Sequence, residues 1–305
     1  MKLKGADISS HNGVCDFFVA KNSGLDFVIL RASYGRNERG FKNFGRDKNF
    51  EKNYISAKKA GLMVGAYHFF YANNSYETLK EALNFYECIK DKKFEFPIFI
   101  DIEDYIGKLK KSSSEETNLT LEFINFFEKR NFFIGVYANR YYFDNRLLKE
   151  EFGKRPLWIA HYGNYDYDKS GYGMWQYTEE GNFKGLCENR NYVDLNVSYV
   201  NYFDEILKKG VNGYMKNWVV HYSRDEDFEC ASMIAQNLHI LMVDGRIMVD
   251  FSKYDRVIYV GVERSGASSY TSDYILEDSK LNRKKSCFDF YLKNKNIWTG
   301  FIMWD

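Results

Sequence analysis

The chain has 305 residues, with 43 basic and 42 acidic side chains, a formal net charge of +1 and a hydrophobic fraction of 45%. This length predicts two domains, and the hydrophobic fraction is ample for a core. The balanced charge gives no electrostatic reason to expect a nucleic-acid partner, and no apolar run has the length that crosses a membrane. The five cysteines are scattered without a Cys-x-x-Cys spacing, so no metal site and no cofactor are predicted.

Short apolar runs alternate with helical patterns between residues 3 and 208. The predicted strands cover residues 3–8, 27–32, 63–70, 98–102, 133–138, 157–161, 173–177 and 192–195. The predicted helices between them cover residues 49–60, 76–90, 114–130 and 141–151, and Ser113 with Glu116 is expected to cap the third helix. This order predicts a closed parallel (β/α) barrel that becomes irregular over its last three strands, where the links are short. An open doubly wound sheet is the alternative fold.

The fourth strand ends in two carboxylates, Asp101 and Glu103, which are one residue apart. Side chains alternate along a strand, so both should point to the same side. Two like charges this close should raise one pKa, and a protonated carboxyl beside an ionised one is the requirement for glycosidic cleavage. The alternative is a solvated strand end with two ordinary acids.

Other acids, aromatic residues and one amide, Asn139, also fall where predicted strands end, and in a barrel these ends form one mouth. They are Asp7, Tyr67, Phe69, Tyr137, Asn139, Trp158, His161, Trp175 and Asp194. Acids and aromatic rings at one mouth are typical of a site that binds sugars and cleaves them with acid catalysis. His68 and His161 lack partners at metal-ligand spacing, which favours structural roles for both.

Six short motifs in the same region occur in a characteristic order. They are Ala6-Asp7-Ile8-Ser9, Gly65-Ala66-Tyr67-His68-Phe69, Ile100-Asp101-Ile102-Glu103, Leu157-Trp158-Ile159-Ala160, Met174-Trp175-Gln176-Tyr177 and Val193-Asp194-Leu195-Asn196. Together they resemble glycoside hydrolase family 25, the lysozymes typified by phage and bacterial muramidases. The resemblance implies a peptidoglycan substrate, cut at the β-1,4 bond between N-acetylmuramic acid and N-acetylglucosamine.

The resemblance also implies roles for individual residues. The catalytic acids would be Asp7, Asp101, Glu103 and Asp194, with Glu103 as the general acid. We also expect Arg31, Tyr67, Phe69, Tyr137, Trp158 and Trp175 to contact the substrate, although the four residues Tyr67, Tyr137, Trp158 and Trp175 could instead belong to the barrel core. The second strand departs from the family pattern Lys-Ala-Ser/Thr-Glu-Gly: it reads Arg31-Ala32-Ser33-Tyr34-Gly35, which keeps the cation and replaces the Glu by Tyr34.

A Gly- and Asn-bearing linker at residues 209–215 separates the predicted barrel (1–208) from a second domain (216–305). Strands are predicted at 218–222, 240–243 and 256–261, and helices at 227–238 and 283–293, which together indicate a small, mostly parallel α/β sheet. The domain resembles the C-terminal domains of clostridial phage endolysins, which implies binding of secondary wall polymers or assembly. The basic run Arg283-Lys284-Lys285 could contact an anionic polymer or simply be a solvated helix face.

We therefore expect a phage-type endolysin that acts on the bacterial cell wall. The N-terminus lacks the apolar core of a signal peptide, which predicts synthesis in the host cytoplasm and holin-type release. The alternatives are a bacterial autolysin and a non-catalytic wall-binding protein on an inactive barrel.

The linker also suggests a second translation product. Lys209-Gly210-Val211 can be encoded with the bacterial ribosome-binding consensus AAGGAG, and Met215 follows just downstream. Internal initiation at Met215 would make a free C-terminal domain that could assemble with the full-length chain through the shared domain, and a homo-oligomer is the other possible assembly. A coincidence of linker codons and proteolysis in the linker are the alternatives.

Overall fold

The computed structural model describes residues 2–35, 45–103, 111–165, 167, 170–186, 192–214, 218–222, 224–238, 241–244, 246, 256–260 and 272–276. The chain divides into two compact units, Met1–Ile206 and Leu207–Asp305. None of the helices in the described ranges is both long enough and apolar enough to span a membrane.

The first unit is built from eight strands and the helices that connect them. The strands are β1 (Leu3–Ile8), β2 (Phe27–Tyr34), β3 (Met63–Phe70), β4 (Ile98–Ile102), β5 (Ile134–Asn139), β6 (Leu157–Ala160), β7 (Met174–Gly181) and β8 (Val193–Ser198). The helices are α1 (Phe17–Asn22), α2 (Phe50–Lys59), α3 (Ser75–Ile89), α4 (Ser113–Glu128), α5 (Arg140–Asn145) and α6 (Tyr202–Lys209).

The eight strands close into a barrel in chain order, which confirms the predicted fold class and excludes the open sheet. Strands β1 to β7 are parallel, whereas β8 runs antiparallel to both β7 and β1. The expectation of a fully parallel barrel was therefore wrong at β8. A parallel connection needs a crossover of about a dozen residues or more, usually helical. The short link between β7 and β8 instead returns the chain in the opposite direction.

Successive side chains along each strand point alternately outward and into the barrel, which gives the unit two separate apolar regions. One set of side chains points outward and packs under the helices, as Val28 and Leu30 of β2 do. The other set fills the barrel, where Phe27 stacks on Phe96 with ring centroids 4.2 Å apart. Gly5 lies beside Phe27, and a Cβ there would come within 2.2 Å of the ring, so only glycine leaves room for this aromatic layer.

Two helix predictions differ from the structure for local reasons. The capping box of α4 is formed by Ser112 and Glu115, one residue before the predicted pair. Glu116 is buried instead, 3.1 Å from Lys111 Nζ. The predicted helix 141–151 splits into α5 and a 3₁₀ turn at Lys149–Phe152. Between them the Leu148 amide donates to Thr117 Oγ1 rather than to a helical carbonyl.

The second unit contains a four-stranded parallel sheet in the order β10-β9-β11-β12. Its elements are β9 (Trp218–Tyr222), α7 (Phe228–Leu238), β10 (Leu241–Asp244), β11 (Arg256–Val260) and β12 (Ser272–Leu276). Ala231 and Ile234 of α7 pack on Val220 of β9 and Ile258 of β11, which gives the unit its own core. The small parallel sheet is confirmed, and β12 is an addition to it. Met215, the predicted helix 283–293 and its basic run lie outside the described residues.

Candidate active site

Four acids from three strands of the barrel meet at one mouth. Asp101 is the fourth residue of β4, and Glu103 follows the end of that strand. Asp7 lies near the end of β1, and the β1–β8 register places it directly opposite Asp194. Because β8 is antiparallel, Asp194 reaches the mouth from the start of its strand. We predicted this acid at the correct edge, but on the wrong assumption that β8 was parallel.

Two side-chain amides hold the Asp7 carboxylate in place. Asp7 Oδ1 accepts hydrogen bonds from Gln176 Nε2 at 2.9 Å and from Asn196 Nδ2 at 2.8 Å. Asn196 Oδ1 in turn accepts from Trp158 Nε1 at 2.9 Å. Gln176 Oε1 accepts from the Tyr137 hydroxyl, also at 2.9 Å. All of these groups are buried, so the position of Asp7 is determined by directed bonds.

Burial makes the Asp7–Asp194 pair prefer a proton. It raises the pKa of Asp7 to about 6, with the amide hydrogen bonds and a hydrogen bond from Asp194 acting in the opposite direction. Burial, followed by repulsion from Asp7 and Glu179, raises the pKa of Asp194 to about 9. At neutral pH the pair therefore holds one proton, which belongs to the two carboxyls together.

Burial also raises the pKa values of Asp101 and Glu103. For Asp101, repulsion from Glu103 and Asp7 adds to burial, and the pKa lies well above its usual value, although Arg31 lowers it. For Glu103 a hydrogen bond with Tyr137 opposes the effect of burial. Asp101 is 5% exposed, and its Oδ1 has no hydrogen-bond partner among the described residues. Glu103 is more exposed, so it is the carboxyl that a bound molecule can reach.

Arg31 brings a cation to the same mouth. Its guanidinium donates to Asp47 Oδ2 at 2.9 Å and to Ser10 Oγ at 3.2 Å. Asp47 Oδ2 also accepts from the Ser10 amide, which locks Arg31 against the segment after β1. The Tyr34 ring lies 5.4 Å from the guanidinium, so the residue that replaces the family Glu packs beside the retained cation.

The predicted aromatic residues separate into two groups. Tyr67 and Phe69 are partly exposed at the end of β3. Tyr137 and Trp158 are buried inside the barrel with ring centroids 4.4 Å apart. Trp158 is 1% exposed, which favours the core role already considered for it.

Trp175 lies on the outer face of β7. It packs in the layer beneath the helices against Tyr167 and Tyr177, and its Nε1 donates to the His161 carbonyl at 2.8 Å. Its neighbour Gln176 faces the acids instead. This placement leaves the predicted contact between Trp175 and substrate without support, because alternation along β7 directs the indole away from the mouth.

His68, His161 and Asn139 have structural partners. His68 is fully buried between Ser33 Oγ at 2.7 Å and Glu81 Oε2 at 2.9 Å. His161 Nδ1 is 2.5 Å from the Tyr167 hydroxyl, and Asn139 caps α5 by accepting from the Tyr142 amide. Within the described part of the chain, no three His, Cys, Asp or Glu side chains are grouped to hold a metal ion.

The sequence reasoning missed three residues that bind the acids or their partners. Gln176 and Asn196 hold Asp7, and the Tyr162 hydroxyl donates to Gln176 Oε1 at 3.0 Å. Asn196 was recognisable, because it follows Asp194 at strand period two and must share its face. Gln176 lies in the motif Met174-Trp175-Gln176-Tyr177, but no function was predicted for it. No sequence pattern marked Tyr162, which lies in an irregular segment.

Comparison with known proteins identifies the family. The model for glycosyl hydrolases family 25 matches residues 6–186, so the chain belongs to this family. The autolytic lysozyme of Clostridium acetobutylicum is 30% identical over 189 residues, which cover 60% of this chain and 53% of that protein. This chain spans a little over half the length of the curated relatives that it matches first.

Solved structures agree with this assignment. The CTP1L endolysin matches with a TM-score of 0.55 and 25% identity, covering 95% of this chain and 99% of that chain. A family 25 glycosyl hydrolase from Bacillus anthracis matches with a TM-score of 0.56 and 26% identity, covering 65% and 89%. The predicted family membership is confirmed.

The raised pKa of Asp194 predicts a pH-dependent cost to stability. The unfolded chain loses this proton near the ordinary value of 3.8, whereas the folded chain keeps it until about 9. Stability should therefore fall as pH rises through this window. The variant Asp194→Asn has no ionisable group at this position. The difference in free energy of unfolding, variant minus wild type, should therefore increase by at least about 1 kcal/mol between pH 5 and pH 8. Urea unfolding at both pH values measures this. The exposed Asp204→Asn is the matched control, and an equal change in both variants would contradict the assignment.

The burial of Trp175 predicts that its removal acts on stability. Trp175→Ala should lower the free energy of unfolding by about 3–5 kcal/mol, because it leaves a cavity under the helices. Tyr76→Ala, at a residue that is 68% exposed, is the control and should change stability by less than about 0.5 kcal/mol. Thermal unfolding and binding of wall fragments are measured together. An unchanged melting temperature with lost binding would instead assign Trp175 to the residues that contact the substrate.

Proposed function

We propose that this protein is a peptidoglycan hydrolase that cleaves the β-1,4 bond between N-acetylmuramic acid and N-acetylglucosamine. The observation that carries the proposal is the group of four carboxyls at one barrel mouth, whose pKa values are all raised by burial. Acid-assisted glycoside hydrolysis needs a carboxyl that is still protonated near neutral pH beside a second carboxyl. Family membership and the lysozyme relative support the same substrate.

Glu103 is the general acid in this proposal. It is the more accessible carboxyl of its pair, and it would donate its proton to the glycosidic oxygen as the bond to the sugar carbon breaks. Asp101, the more buried of the two, would face the positive charge that develops on that carbon and would stabilise it in its ionised form, which its raised pKa opposes. Water would then complete the hydrolysis by adding its oxygen to the carbon and returning a proton to the carboxyl. Asp7 and Asp194 share a proton and would supply a positioned polar wall for the substrate.

The aromatic residues and Arg31 would bind the substrate around these acids. Tyr67 and Phe69 present partly exposed rings at the end of β3, and ring faces suit sugar rings. Arg31 presents the one predicted cation of the substrate-binding set and is held by Asp47 and Ser10. The alternative of a non-catalytic wall-binding barrel is less favoured, because such a protein would not need four acids, two buried and two partly buried, that oppose folding.

For the second unit we propose cell-wall binding or assembly, in a phage-type endolysin released by a holin-type pathway. The overall match to an endolysin covers both units, which favours this reading over a bacterial autolysin. The activity of the CTP1L endolysin is regulated by a secondary translation product. We propose the same kind of product here, made from Met215, so that one barrel could be joined to several wall-binding units and gain avidity.

The first test concerns Glu103. Glu103→Gln keeps the size of the side chain but has no proton to donate, so it should reduce lysis of purified cell walls by about a hundredfold or more. Turbidity loss and identification of the new reducing ends measure the activity. Circular dichroism and wall binding should match the wild type. Wild-type lysis by the purified variant would remove Glu103 from the mechanism, and reducing ends on N-acetylglucosamine would contradict the proposed bond.

The second test concerns Met215. Synonymous recoding of Lys209-Gly210-Val211 removes the AAGGAG sequence without changing the protein, so a translational fragment should disappear from the gel. A proteolytic fragment would persist. Met215→Leu is the second variant and should have the same effect as recoding. If neither change alters the gel, or if no small band is made by the wild type, internal initiation is excluded.

A further inference from the structure

Strand β7 pairs irregularly with β8 beside the acids. Gln176 pairs with Asn196, Thr178 with Leu195, and Gly181 with Val193. Tyr177 is therefore an extra residue in β7, and the two residues between Thr178 and Gly181 lie opposite a single residue of β8. Bulges of this kind are enriched at barrel rims and beside active sites, where they redirect a side chain.

The register determines which way the side chains of β7 point. Residues directly opposite in an antiparallel pair share a face. Leu195 packs in the outer core under the helices, so its partner Thr178 belongs to the outer face. The next residue, Glu179, consequently lies on the inner face, opposite Asp194. Without the extra residue Tyr177, the inner and outer faces would be exchanged for the residues that follow it, and Glu179 would point away from the mouth.

The second bulge places Glu179 and Glu180 together opposite the single residue Asp194. The Glu180 amide donates to Thr178 Oγ1 at 3.0 Å, a hydrogen bond within the same strand. Both glutamates are exposed. The chain therefore carries two adjacent glutamates, of which Glu179 follows Thr178 directly and is placed on the inner face by alternation along the strand.

The electrostatics of the mouth agree with this geometry. Burial is the largest cause of the raised pKa of Glu103, and repulsion from Glu179 adds to it. Glu179 also contributes to the raised pKa values of Asp194 and Tyr162. These three groups come from β4, β8 and the segment after β6, so Glu179 lies within electrostatic reach of all of them.

We propose that Glu179 is a positioning residue that keeps the proton on Glu103 and so sets the upper pH limit of the proposed hydrolase. The inference rests on the proposed function, because it needs Glu103 to act as the acid. A general acid works only while it is protonated. A negative charge nearby disfavours loss of that proton, and activity then persists to higher pH. Glu179 acts through Glu103 and needs no contact with substrate.

Every other element at the mouth also contributes a charged or titratable group. Replacing Glu179 removes none of these groups, but it also takes away a charge that raises the pKa values of Asp194 and Tyr162, so the titration of Glu103 itself has to be followed. In chain order these groups are Asp7, Arg31, Tyr67, Asp101, Tyr137, Tyr162 and Asp194.

The experiment is a pH profile of wall lysis for the wild type, Glu179→Gln and Glu180→Gln. Glu179→Gln should move the alkaline limb to lower pH by roughly 0.3–1 unit, with little change in maximal rate. Glu180→Gln should leave the limb in place. High salt should move the wild-type limb toward that of Glu179→Gln, because Glu179 is exposed and its charge is screened. The proposal is overturned if the alkaline limb lies at the same pH in all three proteins, or if both variants shift it by the same amount.

A second readout is independent of hydrolysis. In protein labelled with ¹³C at the glutamate carboxyl, the Glu103 resonance is assigned by its loss in Glu103→Gln and titrated by NMR. Its pKa should be lower in Glu179→Gln than in the wild type or Glu180→Gln. An unchanged titration would overturn the role of Glu179 even if lysis is normal. A shifted titration in a protein that lyses no cell wall would support Glu179 and reject the proposed function.

Discussion

The antiparallel closure of the barrel by β8 is the constraint on which the site depends. It places Asp194 directly opposite Asp7 and brings Asn196 close enough to bond the Asp7 carboxylate. A parallel eighth strand would carry its first residues to the other end of the barrel. The direction of one strand therefore decides whether Asp194 joins the other three acids.

Once the strands are closed, burial controls the chemistry of the acids. Each of the four carboxyls has a raised pKa, and burial is the largest cause in every case. Keeping these groups out of water costs folding free energy at neutral pH, and hydrogen bonds offset part of that cost only for some of them. Asp7 receives two amide bonds, whereas Asp101 Oδ1 has none among the described residues. Such partial compensation is common where stability is exchanged for reactivity.

The aromatic residues show how the same side-chain type serves different purposes on the two faces of a strand. Trp158 points into the barrel and supports Asn196, so it reaches the site indirectly. Trp175 points outward and supports the helices. Tyr137 both packs on Trp158 and bonds Gln176, which links the apolar filling of the barrel to the polar mouth. The acids are therefore supported from below by a rigid aromatic layer.

The sequence by itself determined the strands, most of the helices, the closed barrel and the four acids at its mouth. These follow from local periodicity and from the rule that parallel strands end at one edge. It did not reveal the direction of β8, the bulges of β7, the capping of α4 by Ser112 or the burial of Trp175. Those features depend on pairing between distant segments. A one-residue shift in register reverses which face a side chain occupies, so Gln176, Asn196 and Glu179 became part of the site only when β7 and β8 paired.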